Sequence, residues 1–280
     1  MDFLYDGIVD FLVSVYRGFF TGVNDLYSLA LVTPQEWMDG TLWQAVVKFD
    51  QVAVRPIALI LLSMFLMFEM VRVIDRSQAK GQEQFMLICQ VLLKIVIAKV
   101  MMENVTVFIA AIFEVSAYIV SKGRALLPVN DVNIAPDTSE FADAFDDSSI
   151  LSLLGYFIEG LLLSLAQKIT TIIGQVIIQL RFVEIYAFTA VSSLAFSTFP
   201  SEEYSQIGKN YIKRMSALAL HVVFIVAVLF CYITVISKIS FAGIADDPTG
   251  ALFSAFGYSI LMIIALFQTG TWSKSLTQSN

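Results

Sequence analysis

The chain has 280 residues, of which 58% are hydrophobic and only 15% charged, with a mean hydropathy of +0.77. Soluble domains carry about 25% charged residues, so a soluble single domain is excluded, and the apolar excess, gathered in blocks long enough to cross a bilayer, points to a multi-pass membrane protein. Seventeen basic against 24 acidic residues leave a formal charge of -7 and a pI near 4.7, which excludes a broad basic surface for duplex DNA or anionic lipid; any contact with nucleic acid must be local.

The N-terminal run MDFLYDGIVD is acidic where a secretory signal carries Lys or Arg, so no cleaved signal peptide is expected. Residues 2–20 read as an amphipathic helix: Leu4, Ile8, Phe11, Leu12, Val15 and Phe19 recur at helical spacing, opposite Asp2, Asp6 and Asp10. It is too polar to span, and either lies among the headgroups or packs its apolar stripe on the bundle. In TPQEW, Thr33 can cap, Pro34 suits the first helical position and Glu36 completes a capping box, so a second helix is predicted to start there and run through Trp37 and Trp43.

The first clear span is Arg55–Ile74, twenty residues matching about 30 Å of hydrocarbon. Arg72, Arg76 and Lys80 follow it and assign the 72–84 loop to the cytoplasm under the positive-inside rule, which puts the N-terminus outside. Phe85–Ser121 is longer than one crossing needs, and reads as two crossings or as one with a protruding or re-entrant helix. The 130–147 stretch is acidic without any basic residue and is assigned outside, although Lys122 and Arg124 precede it. Residues 150–200 pose the same length problem. Lys209, Lys213 and Arg214 then place the 200–214 loop inside, and Met215–Ser237 and Gly250–Gly270 close the chain as two clean spans.

The expected architecture is an all-α polytopic bundle with about five net crossings, seven being the rival count, N-terminus out and C-terminus in. Its segments are an external amphipathic part (1–54), first transmembrane helices (55–121), an acidic external loop (122–149), C-terminal transmembrane helices (150–273) and a cytoplasmic tail (274–280).

Catalytic constellations are missing. One histidine, His221, rules out HExxH within the chain, and no GxSxG, Walker A or GxGxxG motif occurs, so neither catalysis nor a cofactor or metal site is expected. His221 reads as a hydrogen-bonded bundle residue rather than a proton relay. Cys89 and Cys231 sit inside apolar blocks and read as small buried hydrophobes rather than a disulfide or metal ligands.

The informative residues are polar groups at bilayer depth, because an ionisable group in hydrocarbon costs at least about 2.5–3.5 kcal/mol. Lys94, Lys99, Glu103, Glu114, Glu159, Lys168, Arg181 and Glu184 should therefore face protein or water. Gly160, Ser164, Lys168, Thr171, Gln175 and Gln179 follow helical steps and form one polar or small stripe, either an interface with other helices or subunits or the wall of an aqueous conduit. Arg181 and Glu184, three apart, are expected to pair on one helical face. Lys94 and Lys99, with only Glu103 as a local partner, are candidates for meeting a phosphate backbone or an acidic helix of another subunit. Ala251, Ala255 and Ser259 form a small-xxx-small packing face.

TPQEW with its tryptophan-bearing helix, VRPIALILL, RFVEIYAF and GKNYIKRMSALAL, in that order and spacing, resemble the TrbL-type polytopic inner-membrane subunit of conjugative type IV secretion systems, particularly versions from mobile elements of Gram-positive bacteria. The resemblance covers about residues 30–270. It implies an oligomeric cell-membrane channel or scaffold component that helps relaxase-linked single-stranded DNA across the membrane, with ATPases and other subunits of the secretion machine as partners. The family implicates the central external loop in contact with the strand; the corresponding 122–149 segment is short and acidic and would repel phosphates, which suits guiding partners or shaping a vestibule better. A purely structural platform in the same machine and a small-solute transporter are the alternatives; the latter calls for inverted repeats, which the sequence lacks.

Overall fold

A computed structural model describes residues 2–76, 82–126, 150–243 and 248–278, and among them it contains helices and turns but no strand. The helices are α1 (Asp2–Leu31), α2 (Thr41–Phe49), α3 (Arg55–Arg76), α4 (Gln82–Glu103), α5 (Val105–Leu126), α6 (Ile150–Ala190), the short α7 (Ser192–Ser197), α8 (Ser205–Gly243) and α9 (Pro248–Thr277). Six stretches are long and apolar enough to cross a membrane: Trp37–Asp75, Phe85–Glu103, Val105–Gly123, Ser152–Ala190, Ser205–Val235 and Phe253–Thr277. The protein is a multi-pass membrane protein, as its composition requires. The acidic 130–147 stretch lies outside the described residues.

Two of the six run into one another. Only Asn104 separates α4 from α5, and its amide donates to the Val100 carbonyl at 3.1 Å while Phe108 donates to the Asn104 carbonyl at 3.1 Å. The i→i+4 ladder thus continues through the break, leaving no loop in which the chain could reverse. The 85–121 block is therefore one interrupted rod rather than a hairpin. Likewise α6 takes up residues 150–190 without a break, despite the four charged residues within it.

The chain divides into two compact units. The first comprises Met1–Leu31, Ile119–Leu180 and His221–Trp272. Here α1 lies along α6. Leu12 covers Gly160, Gly18 faces Gln167, Gly22 faces Thr171 and Leu26 covers Gly174, so partners differ by 148 or 149 in number and the two helices run parallel. Glycine makes the approach possible: a Cβ on Gly22 would sit 2.6 Å from the Thr171 hydroxyl, and one on Gly160 would sit 2.6 Å from Leu12. Of the two readings left open for the N-terminal helix, packing on the bundle is the one observed, with Val9, Leu12, Val15, Val23, Leu26 and Ala30 buried. In the same unit α8 and α9 pack through Ala255 and Ser259, and Tyr232 lies 3.5 Å from the Ser259 hydroxyl. His221 Nε2 is 2.9 Å from the Thr269 hydroxyl, a bond within the helix pair.

The second unit comprises Val32–Tyr118, Arg181–Leu220 and Ser273–Asn280. Its helix after TPQEW departs from expectation. Thr33 and Glu36 bond to each other through their side chains at 2.9 Å, and the chain then passes through three left-handed residues, Met38, Asp39 and Gly40, so that α2 begins at Thr41 rather than at Thr33. Gly40, at φ +70°, is the residue that tolerates this turn, and a Cβ there would also meet the Gln35 carbonyl at 2.8 Å. A π-helical segment, Asp50–Val54, joins α2 to α3 without a loop.

Buried hydroxyls in the helices return their hydrogen to the preceding turn, as Ser116 does to Phe113 and Thr189 to Ile185. Elsewhere the spanning helices show apolar side chains outward, including Ile60, Met67, Val71, Leu93, Val96 and Ile97. Cys89 and Cys231 are exposed free thiols, which corrects their reading as buried hydrophobes. In a membrane protein an apolar block is not an interior: each spanning helix buries one stripe against the chain and offers the rest to lipid.

Candidate functional site

The second unit gathers the segments that carry the family resemblance. The turn at Val32–Gly40 docks on the C-terminal part of α6, where Trp37 stacks on Phe182 with ring centroids 4.8 Å apart and on Tyr186 at 5.7 Å. The Tyr186 hydroxyl donates to the Pro34 carbonyl at 2.7 Å, and Trp43 tilts against the same ring. A buried phenol needs such a partner, and this one fixes the turn to the helix. Beyond α6, Phe196 is fully buried between Phe108, Phe199 and Tyr211, with centroids 5.6 Å from each. Gly208 closes this part: a Cβ there would be 2.8 Å from the Phe199 ring and 2.9 Å from the Ala195 carbonyl oxygen, and its amide donates to the Thr198 hydroxyl at 3.1 Å.

A carboxylate stands at the centre of this unit. Asp50, 1% exposed, opens the π-helical segment. It accepts the Ser193 amide at 3.1 Å and the Ser193 hydroxyl at 2.6 Å, and Arg55 lies 3.5 Å away. Ser192 gives its hydrogen to the Thr189 carbonyl at 2.8 Å and touches Asp50 only at 3.4 Å. The chain can hold Asp50 buried because α6 breaks at Val191 and frees the amides of α7 to meet it. The π-helical turn adds one residue to the α2–α3 rod and rotates Asp50 inward toward these donors. Nothing in the sequence pattern singles out Asp50, whose hydrogen-bond donors Ser192 and Ser193 lie more than 140 residues away.

A second ionic knot ties α3 to the segment before α8. Glu69, buried, accepts Arg72 at 2.9 Å and the Glu202 amide at 2.8 Å, while Arg72 also reaches Glu203 at 3.3 Å. The C-terminal part of α3 and residues 202–203, which belong to the two loops that charge bias assigns to one side of the membrane, are thereby held together.

The residues singled out by sequence fall into two groups. Lys94 and Lys99 are exposed on α4 in the second unit, and Lys99 makes a 3.9 Å ion pair with Glu103, itself exposed. The α6 stripe belongs to the first unit and divides along its length: Gly160 and Thr171 lie beneath α1, Ser164 and Gln175 are half-buried, and Lys168 and Gln179 are exposed. The Ser164 hydroxyl bonds within its own helix, to the Leu161 carbonyl at 2.9 Å. Arg181 and Glu184 make no ion pair among the described residues. Arg181 is 4% exposed, its guanidinium lies 4.7 Å from the centroid of the Phe182 ring, and its Nε and Nη1 are buried without a hydrogen-bond partner. The i,i+3 spacing allows the pair, but the aromatic turn draws the Arg181 side chain inward.

No group of histidine, cysteine and carboxylate side chains suited to a metal ion occurs among the described residues. No curated protein and no solved structure matches the chain. One family does: "TrbL/VirB6 plasmid conjugal transfer like protein", over residues 21–193. That range contains Trp37, Asp50, Arg55, Arg181, Tyr186 and Ser193, which the fold brings into one unit. The chain therefore belongs to the TrbL/VirB6 plasmid conjugal transfer family, as a multi-pass membrane component of conjugal transfer.

Proposed function

We propose that the protein is an oligomeric scaffold and conduit subunit of a conjugative type IV secretion machine, passing relaxase-linked single-stranded DNA while partner ATPases supply the work. The carrying observation is that Lys94, Lys99, Lys168 and Glu114 are exposed on helices long and apolar enough to span the membrane. Lipid would oppose each by at least about 2.5–3.5 kcal/mol. Neighbouring subunits or an aqueous path relieve that cost, and cations on an otherwise acidic chain are the groups that a phosphate backbone would seek. The subunit acts as a passive component and carries out no catalysis of its own.

Replacing Lys94, Lys99 and Lys168 together with glutamine is expected to lower plasmid transfer about tenfold, equivalent to about 1.4 kcal/mol, while membrane insertion stays intact. Unchanged transfer would remove the conduit role from these residues. Crosslinking the moving strand to single positions separates a conduit, which gives adducts, from a platform, which gives none.

A further inference from the structure

Within the first unit the pair of α1 and α6 has two unlike sides. Among the described residues every exposed side chain of α1 is polar; Asp6, Asp10, Ser14, Arg17, Thr21 and Ser28 follow one another at helical steps and make one stripe. Leu12, Gly18, Gly22 and Leu26, which meet α6, lie on the opposite side of α1. On α6 the exposed residues Leu161, Leu165, Ile169, Ile172 and Val176 are apolar. At about 100° per residue they fall on the side turned away from Gly160, Thr171 and Gly174, where α1 packs. The contacts of Leu12 with Gly160 and of Leu26 with Gly174 put the stretch Ser14–Asp25 level with Leu162–Ile173. A slab of about 30 Å takes in about 20 residues of an upright helix. Wherever it falls along the 41 residues of α6, it reaches their middle near Thr171, the residue that Gly22 faces. Thr21 and its neighbours on the stripe are thus at bilayer depth, back to back with a surface that suits lipid.

Chemistry decides what meets the polar side. Acyl chains cannot solvate Arg17 or Asp25, and headgroups do not reach the middle of the slab. The same face of a second copy would set Asp6, Asp10 and Asp25 against like charges out of water. Ser14, Thr21 and Ser28 already give their hydrogens to the Phe11, Arg17 and Asp25 carbonyls at 2.7, 3.1 and 2.8 Å, so they bring no donor to a dry helix contact. Gly18 and Gly22, which allow close helix approach, are used against α6. Water meets all of these groups without a matching partner. We propose that the polar stripe of α1 faces water through the bilayer and lines the aqueous path of the assembled machine, while α6 keeps lipid behind it. The inference rests on the conduit reading and names the helix that forms its wall. A helix too polar to cross alone crosses here beside α6, with one side dry and one side wet.

The test uses the full chain in cells with an assembled secretion machine, and inverted vesicles made from them, so that a charged, water-soluble thiosulfonate reaches both sides. In a background of Cys89→Ala and Cys231→Ala, single thiols are placed by Ser14→Cys and Thr21→Cys on the stripe and by Leu165→Cys and Ile172→Cys at matching levels of α6. The reagent attacks the thiolate, which does not form in hydrocarbon, so the two stripe positions should react at least about tenfold faster than the two on α6. Slow reaction at all four, as under lipid or a covering protein helix, overturns the proposal. So does equally fast reaction at all four, which would place the pair outside the hydrocarbon. Plasmid transfer measured after modification of Thr21→Cys separates the two readings. Fast labelling with transfer lowered about fivefold or more supports both; fast labelling with transfer unchanged upholds the wet face of α1 and overturns the passage of DNA along it.

Discussion

Removing the Asp50 carboxylate tests whether the buried polar centre holds the second unit together. Asp50→Ala takes the acceptor from the Ser193 amide and hydroxyl, now at 3.1 and 2.6 Å, and leaves Arg55 without the counter-charge 3.5 Å away. Stranding buried donors costs about 1–3 kcal/mol. Because the Arg55 side chain keeps 19% of its exposure, water softens its loss to about 1 kcal/mol. The sum, about 2–4 kcal/mol, lies at the lower edge of the cost of breaking a fully buried pair. Asp50→Asn keeps one carbonyl acceptor and should cost less, about 1–2 kcal/mol. Unfolding of the purified protein in a fixed detergent, with Arg55→Gln and the double variant alongside, gives the Asp50–Arg55 coupling, expected at about 0.5–1 kcal/mol. A loss below about 0.5 kcal/mol for Asp50→Ala, within the scatter of ordinary surface changes, would refute the reasoning, because the centre would then not support the packing of α3 on α7.

Gly208→Ala presses a methyl group against the Phe199 ring and the Ala195 carbonyl and should destabilise by about 1–3 kcal/mol, read as a lower unfolding temperature; an unchanged value would mean that the segment before α8 yields freely. Arg181→Met removes a buried guanidinium whose Nε and Nη1 have no hydrogen-bond partner, so the isolated subunit should unfold at the same or a higher denaturant concentration, and a marked loss of stability would show that the cation contributes through the Phe182 ring.

The spans were legible in the sequence because length and apolarity alone decide whether a helix can cross hydrocarbon, and Arg55–Ile74 lies within the observed Trp37–Asp75 stretch. The start of α2 was not. Thr33 and Glu36 do pair, but the left-handed turn at Met38–Gly40 follows them, and the stacking of Trp37 on Phe182, 145 positions away, favours that turn over a helix running on from Thr33. Asp50 gives no local signal for a similar reason: an acidic residue just before a span looks like a membrane boundary until its donors arrive from Ser193. Helical spacing alone aligns the α6 stripe, but spacing does not reveal that α1 covers Gly160 and Thr171 and leaves Lys168 bare.

Helix α6 has 41 residues, about 61 Å of rise, against a hydrocarbon slab of about 30 Å. Even inclined by about 40°, the steep end of what spanning helices adopt, it would immerse some 26 residues, leaving roughly 15 beyond the acyl region. Leu154, Ile158, Leu165, Ile172, Val176 and Val183 project outward along its whole length, so no placement of the rod submerges all of them. The overhang needs covering, and part of that covering is already supplied by the chain itself, since α1 lies along Gly160–Gly174 and Trp37 stacks on Phe182 and Tyr186 near the other end.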